Sequence, residues 1–200
     1  MSIGVLLCGV VWVDKYHGGV VRQGISLGAR LGLDGWRYHE REFEVVNVVD
    51  GDTLDIGIAD GRYDHTRVRL LGVDTPETKS PKVAEMYYGP QATEYVSGLA
   101  EGKRVTIILD TVGDVRDLYG RLLGYVRMAD GRILNEEIVS EGFGYADLRF
   151  AHKDYDKYVQ LQDEAIAAGK GLWKEVRRDQ LPKWLQRERA DLPTQTDGHQ

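Results

Sequence analysis

Val48-Val49-Asp50-Gly51-Asp52-Thr53 and Arg69-Leu70-Leu71-Gly72-Val73-Asp74-Thr75-Pro76-Glu77 bracket one stretch in which two apolar, strand-like runs each end in a carboxylate cluster. The second run carries an arginine five residues ahead of its aspartate. A strand end suits such groups, because the sheet fixes the backbone while the departing loop exposes the side chains. Acids and a guanidinium brought together in this way suit a hard, oxygen-seeking cation beside a phosphate. Ca²⁺ takes carboxylate, carbonyl and water oxygens, and arginine matches phosphate oxygens with a two-pronged fork.

Working outward, Val45–Val49 and Thr53–Ile58 read as strands joined by the tight Asp50-Gly51-Asp52 corner, with Ala59-Asp60-Gly61 turning into a third strand near Thr66–Leu71. Gly89-Pro90 opens a helix with proline at its first position, and Ala92, Tyr95, Val96, Leu99 and Ala100 then recur at helical spacing until Gly102. Val105–Leu109 and Arg121–Met128 read as two further strands. Asn135 is the expected cap of a short helix that Gly142 closes, and Tyr155, Tyr158, Val159, Gln162, Ala165 and Ile166 mark a last amphipathic helix. Five strands with a helix after the third fit a small closed β-barrel flanked by about three helices, an α+β chain that is mainly β.

Two hundred residues, 42% of them hydrophobic and 29% charged, are enough for one domain plus extensions and a core without staples. The lone cysteine, Cys8, excludes an internal disulfide, and the five histidines lie too far apart in sequence to show zinc-ligand spacing. Net charge is −6, and the negative balance sits in residues 45–173, which carry 15 basic and 22 acidic side chains, or −7. Such a balance excludes a long basic groove, so a polyanionic partner must be held by local arginines. Ile3–Val13 is an eleven-residue apolar run, too short to span a bilayer. As the core of a signal peptide it is unconvincing, since no Lys or Arg precedes it and no small-x-small site follows before Asp14-Lys15. The expected division is an N-terminal extension over 1–43, a domain over 44–174 and a charged, partly disordered tail over 175–200. Leu181, Trp184 and Leu185 could form a short helix against the domain.

With Asp50-Gly51-Asp52-Thr53, Arg69-Leu70-Leu71, Val73 to Glu77, Tyr88-Gly89-Pro90, Asp117 to Arg121 and Asn135-Glu136 in order, the chain resembles the staphylococcal (micrococcal) nuclease family, or thermonucleases, from about Glu44 to Trp173. The resemblance implies an OB-fold, a five-stranded Greek-key barrel that commonly binds oligonucleotides. It further implies a Ca²⁺-dependent phosphodiesterase acting on DNA and RNA, with single strands or frayed ends favoured, 3′-phosphate and 5′-hydroxyl products, a monomer without a membrane span, and secretion. On the matching positions it implies Asp52, Asp74 and the Thr75 carbonyl as calcium ligands, Glu77 as the group that activates water, and Arg69 and Arg121 as the phosphate clamp. Tyr119 would lie beside the terminal phosphate or sugar, and Phe150 near the base and sugar pocket. The chain departs from the family pattern at Leu148 and Phe150, where two tyrosines are common, and in the loop Asp110 to Arg116, which is about one residue longer.

Each of these residues has a plainer reading. Asp-Gly-Asp is common in turns, a loop glutamate is usually solvated, and a strand arginine such as Arg67 is often a surface ion-pair partner. The same barrel also serves as a catalytically silent nucleic-acid-binding module, which fold alone does not separate from an enzyme. Joint retention of Asp52, Arg69, Asp74, Glu77 and Arg121 favours the enzyme, because a binding module needs no water-activating glutamate among metal-binding acids.

Overall fold

In the computed structural model, which describes residues 31–78 and 85–192, strand β1 (Arg41–Asp50) is long enough to serve two partners. Its first half pairs with β5 (Arg104–Ile108) and its second with β2 (Thr53–Ile56), both antiparallel. Register shifts at Val45/Asn47 and Val48/Asp50 make the turn between the two possible. An extra residue also resets the inward-outward alternation, so Val45 and Val48 both face the core although an unbroken strand would send them to opposite faces.

Strands β2, β3 (Thr66–Leu70) and β6 (Leu122–Met128) complete a closed barrel in the order β1-β2-β3-β6-β5. β3 and β6 run parallel, which demands a long crossover, and β5 with a helix fills it. Along β3, Thr66, Val68 and Leu70 are buried while Arg67 and Arg69 share the outer face. Antiparallel register then sets Arg67 opposite Asp55 and Arg69 opposite Thr53, next to Asp52. Arg67 is indeed a partner for Asp55, at 2.8 Å. A two-residue ladder of β4 (Val73–Asp74) and β7 (Tyr145–Ala146) lies beside the barrel mouth. The expected five-stranded OB-type barrel is therefore present, with that small ladder in addition.

The helices are α1 (residues 31–38), α2 (Gly89–Ala100), α3 (Leu134–Ser140), α4 (Tyr155–Ala167) and α5 (Lys183–Glu188). α2 buries Ala92, Val96 and Ala100. α1 was not anticipated: it sends Leu31 and Tyr38 into the main core, and the expected boundary at residue 43/44 falls within β1. The C-terminal boundary shifts as well. Val176, Leu181, Trp184, Leu185 and Leu192 form a second apolar cluster with Tyr145, Leu172 and Trp173, so the chain to Leu192 is part of the packed unit. A six-residue helix is too short to persist alone, and burial of a leucine such as Leu185 contributes about 1.5–3 kcal/mol toward docking it. The apolar run 3–13 and the tail beyond Pro193 lie outside the described residues. Among the described residues no helix is long and apolar enough to cross a membrane.

Asn135 does not cap α3. Ile133 occupies the cap position without a side-chain bond, while Asn135 is fully buried one residue inside the helix. Its Oδ1 accepts from Val126 N, and its Nδ2 donates to the Leu71 and Gly124 carbonyls. An amide carries both a donor and an acceptor, so it can satisfy two strand ends at once where a cap would satisfy one helix end.

Candidate active site

Asp52 ends the β1–β2 corner. The Asp52 N–H donates to Asp50 Oδ1 at 3.1 Å, which closes the turn. Gly51 lets that corner lie against Thr75, since a Cβ there would stand 2.7 Å from Thr75 Oγ1. The Thr75 N–H and hydroxyl both donate to Asp52 Oδ2, at 2.9 and 3.2 Å, tying the two acidic loops together. Arg69 bridges them. Its Nη1 donates to the Leu70 and Val73 carbonyls, at 3.0 and 2.5 Å, which fixes the guanidinium plane. Its Nε then faces Asp52 Oδ1 at 3.1 Å and its Nη2 faces Asp74 Oδ1 at 3.0 Å.

Asp74 is surrounded further. Arg149 Nη2 lies 2.9 Å from the same Oδ1, and the indole N–H of Trp184 donates to Oδ2 at 2.9 Å. Burial and the neighbouring Asp52 charge nevertheless hold the Asp74 carboxyl up at about 6, against the pull of Arg69 and Arg149. Burial and Asp52 also raise Asp50, to about 7. Burial first, and the Asp52 charge second, thus favour the protonated form of both carboxyls at this corner. Among the described residues no three His, Cys, Asp or Glu side chains gather tightly enough to hold an ion by themselves. Asp52 and Asp74, both in contact with Arg69, are the two carboxylates here that could contribute to a metal site, with backbone carbonyl and water oxygens needed to complete it. Such an all-oxygen set suits a hard cation.

Glu77 follows Pro76 and is exposed. Its backbone is held from behind: Met86 N donates to the Glu77 carbonyl at 2.9 Å, and a Cβ on Gly89 would meet that same oxygen at 2.5 Å. The Gly89-Pro90 start of α2 therefore serves as a stop for the loop bearing Glu77. Partial desolvation and the Asp52 charge raise the Glu77 carboxyl, while Arg69 and Arg121 pull it back. These four groups thus share one electrostatic neighbourhood. Arg121 is aimed by Asp117, which accepts from Arg121 Nε at 2.6 Å and from the Tyr119 and Arg121 amides at 2.9 and 3.0 Å. The guanidinium stands 5.6 Å from the Tyr119 ring, which is 85% exposed and able to stack on a ligand. Phe150, also exposed, lies 5.7 Å from the Arg149 guanidinium, while Leu148 packs inward.

The structure brings part of the anticipated set together. Asp52, Arg69, Asp74 and Thr75 are linked by direct contacts, Glu77 feels the charges of Asp52, Arg69 and Arg121, and Tyr119 and Phe150 are exposed, the first beside Arg121 and the second beside Arg149. Sequence reasoning missed Arg149 and Trp184. Arg149 stands between two positions weighed for their aromatic rings, and Trp184 reads locally as an apolar anchor.

The profile of the family described as "Staphylococcal nuclease homologue" matches residues 67–175. An "Uncharacterized endonuclease" of Escherichia coli is 34% identical over 146 residues, covering 72% of this chain and 84% of that relative. A "Thermonuclease" of Staphylococcus hyicus is 31% identical over 136 residues, 68% of this chain and 77% of its own, and an endonuclease of Bacillus subtilis is 35% identical over 148 residues, 70% and 67%. Barrel, acid-arginine corner and these likenesses agree: the chain belongs to the staphylococcal nuclease family, and its function is that of a nuclease.

Proposed function

We propose that the chain is a Ca²⁺-dependent phosphodiesterase that hydrolyses DNA and RNA by attack of water on phosphorus, acts as a monomer on single strands or frayed ends, and leaves 3′-phosphate and 5′-hydroxyl termini. The observation that carries this reading is the convergence of Arg69 with Asp52 and Asp74 on one corner, beside a glutamate that feels Asp52, Arg69 and Arg121 together. Asp52, Asp74 and the Thr75 carbonyl would hold Ca²⁺. When bound, the ion would offset charge that builds on the phosphoryl oxygens and gather water near Glu77.

The residues of the chain do the rest. Glu77 accepts the proton of the attacking water on its carboxylate, and its raised affinity for protons brings it nearer to neutral pH, where a general base works best. Arg69, with one nitrogen anchored on two carbonyls, would turn the N–H groups that now face Asp52 and Asp74 to a phosphoryl oxygen if those carboxylates held a cation. Arg121, held by Asp117, would assist the leaving oxygen. Two oriented guanidiniums stabilise developing charge without reorganising at the moment of reaction. Tyr119 and Phe150 bind the nucleotide by stacking, each aromatic contributing about 1–3 kcal/mol per base.

Purified protein incubated with single-stranded DNA or RNA in Ca²⁺, and then with a chelator, tests the reading. Cleavage to 3′-phosphate ends that stops on chelation supports it. Binding without cleavage supports a silent binding module instead.

A further inference from the structure

The Asp74 carboxylate has three hydrogen-bonding or ion-pair partners, Arg69, Arg149 and Trp184, and the last two are residues that the corner itself does not contain. Trp184 Nε1 donates to Asp74 Oδ2 at 2.9 Å across 110 positions of chain. The face of the same indole carries the Arg149 guanidinium, 4.6 Å from its centroid. Arg149 is in turn held in a two-pronged pair by Asp147, at 2.8 Å through both Nε and Nη2, and touches Asp74 Oδ1. Trp184 therefore touches Asp74 directly and supports its second guanidinium partner from below. The indole is 8% exposed and packs edge-on against Tyr145, whose strand pairs with that of Asp74. Its helix α5 lies beyond residue 175, where the match to the family profile ends.

An indole N–H is a donor only and cannot ligate a cation. What it can do is occupy one carboxylate oxygen and so leave the other to point in a fixed direction. We propose that Trp184 is a positioning residue for Asp74: by holding Oδ2, α5 fixes the carboxylate so that Oδ1, on which the Arg69 and Arg149 guanidiniums converge, is the oxygen that a divalent cation would take over from them. This rests on the reading of Asp74 as a cation ligand given above. Outer partners of this kind typically change metal affinity or activity by about 10–100-fold when removed.

The test is Trp184→Phe, which keeps one aromatic ring toward Tyr145 and Arg149 and removes the N–H together with the five-membered ring that bears it. Calorimetric titration of the full chain with CaCl₂ alone should show affinity weakened by about 10-fold or more, with the melting temperature of the metal-free protein lowered by no more than a few degrees. Equal affinity in both proteins overturns the role of Trp184. Wild-type protein that takes up no Ca²⁺ overturns the cation assignment itself, a distinct failure. Because the variant could fold poorly, nuclear magnetic resonance of the metal-free wild type supplies a second arm. The indole N–H of Trp184 should be slow to exchange with solvent and should lose that protection in Asp74→Ala. An indole that exchanges freely in the wild type overturns the contact on which the proposal stands.

Discussion

Gly51 and Thr75 approach so closely that a single added methyl carbon on Gly51 would lie within 3.0 Å of three Thr75 side-chain atoms. This contact brings the corner bearing Asp52 against the loop bearing Asp74, and Thr75 reports it through two hydrogen bonds to Asp52. Gly51→Ala forces one of the two loops to move. Overpacking of this sort costs about 1–3 kcal/mol, so the urea midpoint should fall accordingly. Activity should fall further than stability accounts for, because the separation of the acids changes. Unchanged turnover in the folded variant would show that the spacing of Asp52 and Asp74 is not critical.

Asn135→Ala should be more damaging to stability. The substitution strips partners from the buried Val126 N–H and from the Leu71 carbonyl. Each buried group left unsatisfied costs about 1–3 kcal/mol, so a loss of about 2–4 kcal/mol is expected from chemical unfolding. A loss below about 1 kcal/mol would mean that water replaces the amide.

The barrel was legible in advance because its signals are local: alternation along Thr66–Leu70, the Asp50-Gly51-Asp52 corner and the Gly-Pro helix start each state their own geometry. The corner residues were legible as well, through their place at strand ends and their match to family motifs. Asn135 misled because its position before an apolar run looks like a cap, while its actual partners, Leu71, Gly124 and Val126, are set by tertiary packing. Trp184 was out of reach for the same reason. Nothing in Lys183 to Glu188 says that the indole N–H finds an acid on β4.

A pH response follows from His152. This side chain is buried against Gly72 and hydrogen-bonded to Tyr125, whose hydroxyl donates to Asp110. Burial lowers its affinity for protons. The folded state therefore favours the neutral ring, and the unfolded chain binds a proton first. Stability is full above the unfolded value of about 6.5 and is lost as pH falls from there through the lower folded value. His152→Gln should flatten that part of the profile when urea midpoints are compared at pH 7.5 and pH 5. An identical fall in both proteins would remove His152 as the cause.

Salt dependence should be shallow. Arg178 is spent on the Ala190 and Gln186 carbonyls, and Arg189 on Asp163 and Asp191, which removes two basic side chains of the C-terminal segment from contact with nucleic acid. On single strands, log affinity should fall with log salt at about −0.7 per phosphate contacted, with fewer than about six contacts. A steeper slope would reveal a basic surface beyond Arg69, Arg121 and Arg149.

The central claim is that Glu77 acts on water while the arginines act on phosphate, and Glu77→Gln tests it most directly. Glutamine keeps the size and hydrogen-bonding capacity of the side chain but cannot take up the proton. Turnover in Ca²⁺ should fall by about 10²-fold or more, with oligonucleotide affinity within a few-fold of the wild type. Near-normal turnover with an unchanged pH profile would contradict the account.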